Sequence, residues 1–124
     1  DVGHDVEGRV LGVEVTMIAN AGHSADLSPP VMTRALCHFD NAYWLPHVAM
    51  AGYCAKTNTQ SNTAFRGFGG PQGAFAVEYI LDTVARRLGR DRMTAVQANA
   101  VPCREMDGEA AAEQAATVLR LERG

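Results

Sequence analysis

Apolar and polar residues alternate along the first twenty positions of the chain. Leu11, Val13, Val15, Met17 and Ala19 are apolar, whereas Gly12, Glu14, Thr16 and Asn20 mostly are not, the period of a half-buried strand over residues 10–20. Glu7-Gly8 offers a tight turn back to a short strand at Val2–His4, which predicts an opening hairpin. Residues 21–30 collect glycine, serine, aspartate and two prolines and read as a loop, with a short helical turn after them over Val31–Phe39. Tyr43–Thr57 reads as a strand weakened at Pro46. Val77, Ile80, Leu81, Val84 and Leu88 share one helical face and predict a helix over Gln72–Leu88, with Pro71 suited to its first turn and Gly89 to its C-terminal cap. A second helix is expected after Asp91 as N-cap, with Met93 and Val96 turned inward, and Gly108–Arg123 is alanine-rich and helix-prone. The fold class expected is α+β: a small antiparallel sheet from residues 1–20 and 43–57, covered by the helix over 72–88, within a larger domain.

Composition narrows the function classes. At 124 residues, 47% hydrophobic and 20% charged, the chain can own one modest core. A net charge of -3 leaves no basic surplus for a phosphate backbone, so nucleic acid is not expected as a partner. No apolar run approaches the ~20 residues that span a bilayer, so no membrane partner is expected and the cytoplasm is the expected location. Cys37, Cys54 and Cys103 lack C-x-x-C spacing and read as buried thiols. His4, His23, His38 and His47 never fall at metal-ligand spacing, and Trp44 reads as a core aromatic. The chain opens on Asp1 rather than Met and runs at once into a strand, so it is expected to be a piece of a longer protein.

The chemistry concentrates in Ser61-Asn62-Thr63-Ala64-Phe65-Arg66-Gly67-Phe68-Gly69-Gly70-Pro71-Gln72-Gly73. Its glycines admit positive φ or close backbone approach, and they lead into a helix N-terminus that favours anions. The segment fits neither the P-loop nor the dinucleotide fingerprint. An arginine set between two aromatics suits a flat, electron-rich ligand. Asn58 and Asn62 are expected to satisfy backbone groups around the loop.

This string, with Lys56-Thr57-Asn58 before it and with Ala25-Asp26-Leu27-Ser28, Arg34-Ala35-Leu36 and His38-Phe39-Asp40-Asn41-Ala42-Tyr43 upstream, closely resembles the molybdenum hydroxylases, in particular the molybdopterin-binding part of their xanthine dehydrogenase branch. The resemblance covers residues 1–91, taken as a partial molybdenum-cofactor-binding domain, and leaves 92–124 as a divergent helical tail. It implies oxidative hydroxylation of hypoxanthine or xanthine, with a molybdenum–molybdopterin cofactor here and FAD and 2Fe-2S clusters on partner domains or subunits. Arg34 matches the arginine that pairs with the substrate's exocyclic oxygen, a catalytic and substrate-binding role that aldehyde-oxidising relatives lack. Phe68 matches the phenylalanine that contacts the purine ring. Phe65, Arg66, Gly67, Gly69 and Gly70 are implied to line the cofactor, with the backbone of Arg66 beside the molybdenum.

The family's base glutamate falls downstream of this chain and a second substrate-facing glutamate upstream, so the isolated chain is expected to be inactive. Glu78 reads as a solvated helix residue. Two other functions compete with the purine reading: a stand-alone small-molecule or anion-binding module without redox activity, and another molybdenum hydroxylase such as an aldehyde oxidase.

Overall fold

In the computed structural model of the protein, which describes residues 1–101, the expected hairpin forms between β1 (Val2–His4) and β2 (Val10–Gly22). The Asp5 carboxylate closes its turn by accepting the Glu7 and Arg9 N–H groups, each at 2.9 Å. The ladder then slips. His4 pairs with Val10 and Gly3 with Gly12, which makes Leu11 the extra residue of a bulge. The alternation read from sequence holds from Val13 onward, but at the bulge Val10 is buried and Leu11 stands 53% exposed, so Leu11 leaves the inward stripe.

Helix α1 (Ser28–Cys37) starts earlier than the pattern predicts. Pro29 and Pro30 lie in its first turn, where a missing N–H costs nothing, so residues that read as loop belong to the helix. Strand β3 (Val48–Lys56) begins only after Pro46, and Tyr43 makes a single isolated bridge to Ala100. β3 pairs with β2 in parallel from Val13–Val48 to Gly22–Lys56, which corrects the expected antiparallel sheet to a mixed one of order β1-β2-β3. The reason lies in the connection: residues 23–47 carry α1 across the sheet, and such a crossover returns the chain in parallel register.

Helix α2 (Gly70–Arg87) buries Val77, Leu81 and Val84 as its spacing predicts. It stops at Gly89 (φ 63°), where the N–H groups of Gly89 and Arg90 reach back to the carbonyls of Arg86 and Ala85. Helix α3 (Arg92–Asn99) is capped by the Asp91 carboxylate, which accepts the Met93 N–H at 2.9 Å. That cap fixes the helix phase so that Ala95 and Asn99 turn inward and Val96 packs against the core, while Met93 stands exposed rather than inward. Phe39, Leu81 and Val77 are the fully buried centre of the core, joined by Val10, Val13, Tyr43 and Leu45. The alanine-rich segment over 108–123 and Cys103 lie outside the described residues.

Candidate functional site

The glycine-rich segment forms two overlapping tight turns at the head of α2. The Phe68 N–H donates to Phe65 O at 2.9 Å and the Gly70 N–H to Gly67 O at 3.0 Å. Three consecutive residues take left-handed backbone angles: Gly67 (φ 92°), Phe68 (φ 53°) and Gly69 (φ 104°). The two glycines adopt this freely. A bulky aromatic there is a genuine outlier, at a cost on the order of 1–3 kcal/mol. Phe68 stands partly exposed at 38%, beside a far more exposed Phe65. Phe65 and Phe68 do not stack on each other; the stacked aromatic pair among the described residues is Phe75–Tyr79, with centroids 6.3 Å apart.

Behind this loop the backbone of α1 presses on the turn. A Cβ at Gly69 would lie 2.1 Å from Val31 O, and one at Gly73 would lie 2.2 Å from Ala35 O. Only glycine admits that approach. Val31, Ala35 and His38 bracket Arg34 on α1, so the loop that carries Phe68 and the helix that carries Arg34 meet backbone to backbone. Gly70 lies against the His38 ring. Gly67 and Arg66 face outward, as does Arg34 in the last turn of α1. Among the described residues the ion pairs are Arg9–Glu7, Arg86–Asp82 and Arg92–Glu78, and neither Arg34 nor Arg66 takes part in one or in a side-chain hydrogen bond. From sequence Gly73 reads only as one of the glycines that admit close backbone approach to a ligand; its spacing of four from Gly69, one helical turn, is the signal that pairs the two against α1.

At the start of α2 the Phe68 and Gly70 N–H groups are spent on the loop's own carbonyls and Pro71 has none. On its upstream side the loop is pinned to the sheet. Asn62 donates through Nδ2 to Asn20 O at 2.8 Å and accepts the Ser28 hydroxyl on its carbonyl at 3.1 Å, the backbone-satisfying part expected of it.

Two other residues depart from their sequence readings. Trp44 is 41% exposed at the edge of a cleft of about 1160 Å³ that also takes in Phe39, Asp40 and Leu45, so it is no core residue. Glu78 is not a freely solvated carboxylate: it accepts from Tyr43 Oη at 2.6 Å, Asn41 Nδ2 at 3.1 Å and Arg92 at 2.9 Å. The Tyr43 hydrogen bond, with those of Arg92 and Asn41, holds the Glu78 carboxyl below its ordinary range, while burial, helped by Glu78, pushes the Tyr43 phenol up to about 12.

Among the described residues no three His, Cys, Asp or Glu side chains converge, so side chains there build no metal donor set. The outward guanidinium of Arg66, which makes no ion pair among the described residues, would suit an anionic organic group.

Residues 1–100 match the model of the molybdopterin cofactor-binding domain, and the chain belongs to that family. Within it, the chain is 50% identical over 93 residues to the xanthine dehydrogenase of Calliphora vicina, covering 75% of this chain and 7% of that relative. It is 47% identical over 90 residues to the nicotinate hydroxylase hnxS of Emericella nidulans, covering 73% of this chain and 7% of the relative. Among solved structures the aldehyde oxidoreductase of Desulfovibrio gigas superposes with a TM-score of 0.74 at 26% identity, covering 82% of this chain and 11% of that one. The chain thus spans less than a tenth of the length of the curated relatives it matches. No helix among the described residues is long and apolar enough to cross a membrane.

Proposed function

We propose that the chain forms one wall of the substrate and molybdenum pocket of a xanthine dehydrogenase-type enzyme, which oxidatively hydroxylates hypoxanthine or xanthine in purine catabolism in the cytoplasm. The observation that carries this reading is Phe68, an aromatic ring held in left-handed backbone on a loop docked against the helix of Arg34, which makes no ion pair among the described residues. Strain of this kind persists where the surroundings impose it, and it clusters at ligand-gripping sites.

When bound, a molybdenum–molybdopterin cofactor would supply the redox chemistry, with 2Fe-2S clusters and FAD on partner domains or subunits as the electron carriers the resemblance implies. The chain's own residues orient and polarise. Phe68 offers a ring face to a flat heterocycle at a low entropy cost. Arg34 pairs with the exocyclic oxygen of the purine and stabilises negative charge that grows on the ring during attack, which is where a preorganised cation acts best. Phe65, Arg66, Gly67, Gly69 and Gly70 would line such a cofactor, and the backbone of Arg66 would lie on the side of the molybdenum. The proton-accepting carboxylate comes from elsewhere in the assembly, because neither residues 28–39 nor 57–77 contain an Asp or Glu.

In the assembled enzyme Arg34→Met should lower kcat/KM for xanthine by on the order of 10²-fold, with part of the loss in kcat, and should affect a small aldehyde far less. Phe68→Ala should impair flat substrates of either kind. Equal losses on purine and aldehyde in Arg34→Met would make Arg34 structural. They would favour the second reading, oxidation of an aldehyde, to which the likeness to aldehyde oxidoreductase lends support.

A further inference from the structure

We infer that Gly69 and Gly73 are positioning residues, which set where the Arg34 helix stands relative to the Phe68 loop and so the discrimination between oxygen-bearing purines and other substrates. The inference rests on the proposed role of Arg34. The two glycines lie four apart, on one face at the start of α2, and together form a groove that receives the α1 backbone. The atoms a Cβ would strike there are Val31 O and Ala35 O, at 2.1 and 2.2 Å, with Ala35 N and the His38 carbonyl carbon at 3.0 Å. These are main-chain atoms of a helix and cannot rotate away, so α1 as a whole must retreat by about 1 Å to reach ordinary contact.

The opposite face of α1 is different. A Cβ at Gly52 would meet Met32 Cγ at 2.7 Å, Met32 Sδ at 2.9 Å and Leu36 Cδ1 at 3.0 Å, side-chain atoms that can turn about their own bonds while the helix backbone stays in place. Substitution on the two sides of one helix therefore separates displacement of α1 from mere crowding. A shift of about 1 Å in a group that grips the reacting ring costs on the order of 10²-fold in rate.

The test uses the assembled enzyme, with xanthine and a small aldehyde as substrates, and xanthine binding to cofactor-free protein by calorimetry. Gly73→Ala should lower kcat/KM for xanthine by on the order of 10²-fold, spare the aldehyde, and weaken xanthine binding to the cofactor-free protein. Adding Arg34→Met to Gly73→Ala should cost little more than either change alone, since both remove one contact. Gly52→Ala should leave both substrates near wild type. Additive losses, or equal losses on both substrates, would overturn the inference. If instead Arg34→Met alone leaves xanthine turnover and binding unchanged, the reading of Arg34 fails, and the inference built on it fails with it. Should Gly73→Ala not fold, Gly69→Ala strikes the same helix at Val31 O, 2.1 Å away, and should give a loss confined to the purine. An unselective loss there, or none, would overturn the inference equally.

Discussion

Tyr43 shows how much a single residue ties together. Its ring is buried in the core and its hydroxyl donates to Glu78 on α2, which Arg92 of α3 also holds. Burial first, then the Glu78 hydrogen bond and charge, raises its ionisation from 10.0 to about 12. A folded value above the unfolded one means that the stabilisation is fully present below pH 10 and is lost as pH rises toward 12. Glu78 carries the opposite sign. Its carboxyl is held below the ordinary 4.5, so its contribution is present above that value and disappears as acid protonates it. Denaturation midpoints of the chain should therefore fall across pH 10–12, and Tyr43→Phe should flatten that decline. An unchanged alkaline profile in Tyr43→Phe would show that the phenol contributes nothing. None of this was legible beforehand, because Glu78 and Tyr43 are 35 positions apart and no local pattern joins them.

At the scale of elements, periodicity read well where one face of an element is buried and poorly where pairing decides. The α2 stripe and its Gly89 stop follow from spacing alone, as does the inward face of β2 from Val13. The direction of β3 does not, since alternation is the same for parallel and antiparallel neighbours. The bulge at Leu11 was hidden for the same reason, being a property of the ladder with β1. Asn99 is the clearest omission. The amide at the end of α3 accepts the Val10 N–H at 2.7 Å and donates to Gly8 O at 2.9 Å and Ala95 O at 2.8 Å, so α3 locks the base of the hairpin. Asn99→Ala leaves a buried donor and a buried acceptor without partners and should cost about 1–3 kcal/mol, read as a lower denaturant midpoint. Asn99→Asp keeps the acceptor for Val10 but turns a buried carboxylate toward the Gly8 and Ala95 carbonyls, so it should lower the midpoint at least as far as Asn99→Ala. A midpoint unmoved by either change would show that water replaces the amide.

For the whole molecule, the candidate site was legible as a set of residue types and illegible as a geometry. The run from Phe65 to Gly70 carried the resemblance, but that its glycines serve the approach of α1 emerges only from the packing. The same packing leaves much apolar surface uncovered. Ile18 and Tyr53 face outward as register partners on the sheet, Phe75 and Tyr79 stack on the outer side of α2, and the cleft beside Trp44 is open. Surface of this kind on a chain spanning about 7% of its relatives' length is what a larger domain would cover. The purified chain should accordingly self-associate or bind hydrophobic dyes, and it should not oxidise xanthine. Turnover needs a proton acceptor beside the ring as well as groups that grip it, and a transition state gains nothing from groups that are not there. The elements that carry Arg34 and Phe68 contain no carboxylate, and Glu78 is engaged by Tyr43, Asn41 and Arg92. An assay of the chain alone, purified away from host enzymes and supplied with the cofactor, decides the matter. Measurable xanthine oxidation, abolished by Arg34→Met, would show that the chain holds a complete site and would refute the view that it supplies one wall.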